Sequence, residues 1–299
     1  MSFNGMKTLA LCLLLSLVAF SLPAYAVGSP DGVSEKTVRV VTLNLYHDKD
    51  EWPKRRVQIV EKLRQLRPDV IALQEVLQHE TLTNQAEWLA AQLDYQWHFV
   101  STDPVGNPRR YGNAILTRHP ILRRGQKSLQ PLDDSRTAAF VRIDLDGRLL
   151  NVYATHLHWT DQGGAIRSRQ VADLMQYVDQ TSENVPSLVA GDFNSTADSP
   201  ELAALRERFV DIYGNRHPDA DAVSSSTLNL KYFAAKRIDH VFFQRDAFAP
   251  VSATILFDRP DTQGVWASDH FGLLAELHLG SIANPGPDRP VREAYPAGK

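Results

Sequence analysis

Beyond residue 36, short β-branched or apolar runs alternate with stretches whose apolar residues recur every three or four positions. TVRVVTLNL (37–45) predicts a strand. Val57, Val60, Leu63 and Leu66 then fall on one face of a helix that Pro68 closes. VIAL (70–73) predicts a second strand, and residues 81–93 a helix with Leu82, Trp88, Leu89 and Leu93 inward. Residues 113–117, 138–145 and 149–155 predict strands, the last two joined at Asp146-Gly147, a hairpin signal. A helix over 165–178, a strand SLVA (187–190) and strands at 238–243, 251–257 and 273–277 complete the set. Hairpins mixed with strand–helix alternation exclude a purely parallel doubly wound sheet and predict α/β layers on mixed sheets.

The two ends depart from this pattern. Lys7, the apolar run LALCLLLSLVAFSL and Pro23-Ala24-Tyr25-Ala26 have the form of a secretory signal over residues 1–26, too short for a bilayer span. Residues 27–36 are expected as a flexible lead-in and 281–299, rich in Pro and Gly, as an irregular tail. A single catalytic domain is expected over 37–280. The one cysteine, Cys12, lies in the signal, so the exported chain is expected to have no disulfide and no cysteine metal site. The formal charge of −3 weighs against a grip on long nucleic acid without selecting a substrate. Lys54-Arg55-Arg56 and the other basic pairs are expected as solvated surface, and His119 as a surface turn residue.

The polar residues that end the strands change the picture. Asn44 ends the first strand, Glu75 follows the second, and His156 and His158 follow the strand at 149. Asp192 and Asn194 end the strand at 187, two residues apart and so on one face of extended chain. Asp239 and the pair Asp269-His270 accompany later strands. Each alone is an ordinary cap or turn residue. Strands of a sheet converge, however, and groups at corresponding ends line one cleft. One Glu, three Asp, two Asn and three His offer oxygen ligands and titratable imidazoles, a set that suits Mg²⁺ or Mn²⁺ better than zinc.

In order, TLNL, LQEV, YGNAILTRHP, SRTAAFVRI, ATHLH, AGDFN, RIDHVF and SDHF span residues 42–271. This series resembles the endonuclease/exonuclease/phosphatase superfamily, which includes pancreatic-type deoxyribonucleases, exonuclease III-like enzymes, inositol polyphosphate phosphatases and bacterial sphingomyelinases. The resemblance implies a four-layer α/β sandwich of two packed mixed sheets with helices outside. It implies Glu75 as principal metal ligand with Asn44 beside it, and Asp239 and Asp269 supporting the metal region. His156 and Asn194 would bond the scissile phosphate, and Asp192 would orient or deprotonate the attacking water. His270, held by Asp269, would transfer a proton or stabilise phosphorane oxygens, and Arg136 would contact phosphate. Tyr111 falls near a catalytic tyrosine of some relatives, although Gly112-Asn113 departs from the nuclease pattern and leaves Asn113 as the alternative. His158 and Trp159 are open to substrate contact or to simple loop packing.

The expected activity is that of an exported, periplasmic or extracellular Mg²⁺-dependent phosphodiesterase acting on nucleic acid. The expected chain is a monomer with no stable protein partner. The alternatives are a sphingomyelinase-like or phospholipase C-like hydrolase of lipid head groups and a phosphatase of a small monoester. A catalytically silent binding module would give no reason for so complete a set of polar groups. The sequence shows no aromatic hairpin of the kind that enters a bilayer, which weighs against the lipid reading.

Overall fold

The computed structural model describes residues 36–280 together with Met1. The expected signal, most of the lead-in and the tail lie outside the described residues. Lys36, expected in the lead-in, opens the first strand. The elements run β1 (Lys36–Asn44), α1 (Trp52–Leu66), β2 (Val70–Gln78), α2 (Gln85–Leu93), β3 (Gln96–Ser101), β4 (Arg110–Thr117) and β5 (Ile121–Ser128). They continue β6 (Thr137–Asp144), β7 (Leu149–His156), α3 (Gly164–Thr181), β8 (Ser187–Asp192), α4 (Ala203–Arg206), β9 (Phe209–Asp211) and α5 (Ile212–Arg216). The last three are β10 (Asp239–Gln244), β11 (Phe248–Leu256) and β12 (Gly272–Leu279).

Two six-stranded sheets result, ordered β11-β12-β1-β2-β4-β3 and β5-β6-β7-β8-β10-β9. Each has one parallel pair, β1 with β2 and β7 with β8, among antiparallel neighbours. The central strands are apolar on both faces because both faces are covered. On β1, Val40 joins the cluster between the sheets, while Val41 and Leu43 join Ile59, Leu63 and Leu89 beneath α1 and α2. On the second sheet, Phe140, Tyr153, Val189 and Phe242 meet Leu174, Met175 and Val178 of α3. The result is a four-layer α/β sandwich, as the sequence implied.

Three local differences have clear causes. The inward stripe of α1 runs through Trp52, Arg55, Ile59, Val60 and Leu63, and Val57 is exposed, so the apolar face is rotated from the expected one. Helix α2 starts four residues later than expected because Asn84 caps it, its Oδ1 accepting from Ala86 N and Glu87 N at 3.0 and 3.3 Å. Strands β3, β5 and β9 were not legible in the sequence, and all three are edge strands. A half-solvated edge needs no apolar run, and the ILRRGQKS of β5 has the basic character that blunts an edge against further pairing.

Candidate active site

The site is built on one row of the second sheet. His156 pairs in register with Asp192 across β7 and β8, and Asp192 with Asp239 across β8 and β10. Register neighbours point to the same face, so three ionisable groups stand side by side at one strand end. Gly191 makes this possible. Its φ is +151°, and a Cβ there would lie 2.0 Å from the Thr155 carbonyl oxygen, so only glycine lets β7 and β8 approach just before Asp192.

The first sheet brings the facing groups. Beyond Leu73 the pairing of β2 with β4 slips before resuming at Val76, a bulge that holds Glu75 at φ +55° and turns its carboxylate into the cleft. Arg55, expected on the surface, is buried and donates to the carbonyls of Leu45, Tyr46, His47, Lys49 and Ala267. It thereby ties the loop after Asn44 to the segment carrying Asp269 and His270. Glu75, Tyr111, Arg136, His156, Asp192, Asn194, Asp269 and His270 all border one cavity of about 560 Å³. That volume lies in the usual range for a small-molecule site.

Hydrogen bonds sort these groups into two halves. Asp239 Oδ2 lies 2.9 Å from His270 Nδ1, and Asp192 Oδ2 lies 3.8 Å from the same nitrogen. Burial alone would lower the His270 pKa, but the charge and hydrogen bond of Asp239, then Asp192 and Asp269, raise it to about 10. His270 is therefore an imidazolium at neutral pH. Burial, then the Asp239 carboxylate, raises Asp192 well above the usual carboxylate range. His156 is held neutral by burial and then by the charges of Arg136 and His270. Its Nδ1 is buried without a partner, and its Nε2 lies 3.4 Å from Asp192 Oδ2.

The other half lacks compensation. Burial raises the Asp269 pKa to about 6; His270 opposes the rise and the Glu75 charge adds to it. Among the described residues neither carboxylate is ion-paired with Lys or Arg, and the nearest cation-capable group to Glu75 is His47 Nε2 at 3.8 Å. The Tyr111 hydroxyl, its pKa raised by burial and then by Glu75, borders the same corner. Two uncompensated carboxylates beside a polar cavity fit a hard divalent cation. Ligand atoms of Asp192, Asp239 and His270 also lie within 4.8 Å of one another. The one hydrogen bond within that cluster joins His270 Nδ1 to Asp239 Oδ2, with Asp192 Oδ2 3.8 Å from the same nitrogen.

Several expectations are corrected. Asp239 is the partner of His270, a place expected of Asp269, and it stays in the acidic cluster with Asp192. The register of β8 and β10 decides this, since it sets Asp239 beside Asp192. Asn44 donates through Nδ2 to Asp192 Oδ2 at 3.1 Å and accepts the Tyr46 N–H at Oδ1 at 3.0 Å. Asn113 donates to Thr137 O and Oγ1, at 3.0 and 3.1 Å, joining the two sheets outside the cavity. His158 is bonded at both ring nitrogens, to Asp134 Oδ1 at 2.8 Å and Thr160 Oγ1 at 2.7 Å, and serves its own loop. His119, expected on the surface, is buried against Asp69. The Asx turn and the cavity role coexist at Asp192, whose Oδ1 accepts the Asn194 N–H at 2.9 Å.

Other contributors were missed. Thr227 Oγ1 accepts from the backbone N–H of Ile238 and Asp239, and Ser268 Oγ donates to Asn44 O at 2.7 Å. Hydroxyls that hold neighbouring backbone leave no pattern along a single chain. Phe233 and Lys236 also border the cavity, as does Trp159, which the sequence left open to substrate contact.

A search of known proteins agrees with this geometry. A 274-residue match to the uncharacterized protein YbhP of Escherichia coli is 27% identical and covers 84% of this chain and all of that protein. The Ccr4 3′-5′-exoribonuclease subunit of the CCR4-Not complex of Kluyveromyces lactis is 22% identical over 243 residues, 67% of this chain and 29% of that protein. The crystal structure of an endonuclease/exonuclease/phosphatase from Bacteroides vulgatus superposes with a TM-score of 0.68 at 20% identity, covering 82% of this chain and all of that one. The model of the Endonuclease/Exonuclease/phosphatase family matches residues 41–270, from β1 through the His270 segment. Proteins of this family are generally metal-dependent phosphoester hydrolases. With the fold, the row of strand-end groups and that match in agreement, the chain belongs to the endonuclease/exonuclease/phosphatase family.

Proposed function

We propose that the protein is an exported phosphodiesterase that hydrolyses nucleic acid with Mg²⁺ or Mn²⁺. The observation that carries the reading is the division of one cavity between an imidazolium held by Asp239 and two neighbouring carboxylates, Glu75 and Asp269, that no Lys or Arg pairs with among the described residues. When bound there, the divalent ion supplies Lewis-acid neutralisation of charge on the phosphoryl oxygens.

The chain's own groups divide the remaining work. Arg136 and the Asn194 amide bind the anionic diester and orient it. Asp192, whose raised pKa suits a base near neutral pH, takes the proton of the attacking water at Oδ2. His270, fixed through Nδ1 by Asp239, presents its other N–H to the cavity, where it offsets the charge that grows on the phosphoryl group. Neutral His156 donates or accepts one hydrogen bond without adding charge. The signal-like leader supports export, and the likeness to an exoribonuclease subunit supports a nucleic-acid substrate.

Hydrolysis of a lipid head group is the second reading. Three exposed apolar side chains, Trp159, Leu230 and Phe233, favour it, the first and last at the cavity mouth. Purified protein with Mg²⁺ should be assayed on single-stranded DNA, RNA, plasmid, sphingomyelin vesicles and inositol phosphates, each with a chelator control. Cleavage of an oligonucleotide abolished by chelation is expected. Turnover of sphingomyelin with none of nucleic acid would replace the first reading by the second.

A further inference from the structure

Two side chains at the mouth of the cavity are far more exposed than aromatic groups usually are, Trp159 at 68% and Phe233 at 46%. Isolated exposed aromatics are ordinary, but these two stand on backbone that is tightly held. The Trp159 loop is fixed from below by Arg167, a buried side chain whose Nη1 donates to the carbonyls on either side of Trp159, His158 O at 3.2 Å and Thr160 O at 2.7 Å. The guanidinium is itself paired with Glu201 at 3.0 Å, and His158 N donates to Gln170 Oε1.

The Phe233 loop is anchored as firmly. Asn229, fully buried, donates through N to Asp269 O at 2.9 Å and through Nδ2 to Ser268 O at 3.0 Å. Its own carbonyl accepts from the N–H groups of Tyr232 and Phe233. The Phe233 ring stands edge-on to His270 with centroids 6.3 Å apart, one side chain away from the reacting centre. Trp159 follows β7 and Phe233 precedes β10, and these are the two neighbours of β8. The aromatics therefore stand on either side of Asp192. Buried polar groups that hold the backbone and leave an aromatic face in water suit a stacking platform, because the loop then loses little freedom when a flat ligand covers the ring.

We propose that Trp159 and Phe233 form a two-sided rim that stacks unpaired nucleobases flanking the scissile phosphate, making single-stranded nucleic acid the preferred substrate. This rests on the nucleic-acid reading above. A duplex keeps its bases stacked on each other and withholds their faces, whereas an unpaired strand presents them on both sides of the phosphate. Lys236, also at the mouth, adds a positive group for a neighbouring phosphate. The charged neighbours Asp161, Lys231 and Lys236 interrupt the apolar surface, which suits separate bases better than a continuous lipid face.

The test is binding of the full chain, in chelator, to a fluorescein-labelled oligothymidylate, the matching duplex and an abasic oligomer of equal length. Sphingomyelin vesicles form a fourth arm. The wild-type chain should bind oligothymidylate about 10-fold or more tighter than the abasic oligomer, and Trp159→Ala and Phe233→Ala should each remove about 10-fold of that preference. Trp159→Phe should restore most of it, and exposed Leu122→Ala, on β5, should change nothing. Equal affinity for the abasic oligomer, or vesicle binding that depends on Trp159 while oligothymidylate binding does not, overturns the rim. Oligothymidylate bound through Trp159 but never hydrolysed with Mg²⁺ sinks the hydrolase reading and leaves the rim standing. Hydrolysis indifferent to both aromatics does the reverse.

Discussion

The two ends of β2 hold similar acid and imidazole groups and treat them in opposite ways. At its start, buried Asp69 meets His119 at 2.7 Å and Arg118 at 2.6 Å, accepts the Arg39 N–H at 2.7 Å, and is held below the usual carboxylate range despite its burial. Behind β10, Asp211 pairs with Arg237 at 2.8 Å and sits at about 2, because the hydrogen bond and charge of His240, then Arg237, outweigh burial. At the other end of β2, Glu75, Asp192, Asp239 and Asp269 gather around His270, and two of those carboxylates are raised. Where the charges balance, the pair holds the fold together. Where acids outnumber bases, folding has left a deficit of positive charge that a cation and an electron-rich transition state can use.

Breaking the unbalanced end should cost function first. Asp192→Asn keeps the shape and the Asx turn but removes the proton acceptor, and turnover should fall by about 10²- to 10⁴-fold. A melting curve on the same preparation should move little. Early melting with turnover retained would make Asp192 a turn residue and remove the water-activation step. Glu75→Gln should raise the divalent concentration for half-maximal activity by about 10²-fold. It should also shrink the rise in Tm that the cation gives the wild-type protein. An unchanged cation response would place the ion elsewhere in the cavity.

Breaking the balanced end should cost stability instead. Asp69→Asn leaves buried His119 without its acid, and chemical denaturation should show a loss of about 3 kcal/mol, with kcat close to wild type. A collapse of kcat at unchanged stability would erase the contrast between the two ends. The smallest effect is in pH. A carboxylate held below its unfolded value stabilises above that value and loses its contribution as pH falls through the folded one. Asp211 should therefore contribute about 2 kcal/mol at neutral pH, lost progressively from about pH 5 downward. Asp211→Asn should flatten that part of the stability curve, and an unaltered acid limb would remove Asp211 as its source.

The sequence disclosed central strands better than edges because a strand buried on both faces must be apolar throughout, whereas β3, β5 and β9 need only half a face. It disclosed the members of the site for a related reason. Glu75, His156, Asp192, Asn194, Asp269 and His270 stand where apolar runs stop, and all six border the cavity. Periodicity had no means of showing which pairs with which. Along the chain Asp269 adjoins His270 and is the partner the resemblance implies, and only the β8–β10 register puts Asp239 beside Asp192 and within 2.9 Å of the imidazole. Asn113 and His158 look like site residues by position, yet each is consumed by a neighbour distant in sequence, Thr137 and Asp134.

The mixed-sheet α/β class and the roster of strand-end groups were legible in the sequence because burial and turn chemistry are written in local patterns of apolar, Gly, Asp and Asn residues, and the series of eight motifs carried the resemblance that implied the family and its four layers. Tertiary structure decided the charge states, the pairing of His270, the aim of Glu75 and the outward placement of Trp159 and Phe233. Those depend on distances between segments that meet only after the sheets have packed, and electrostatic energy follows such distances and the burial that accompanies them.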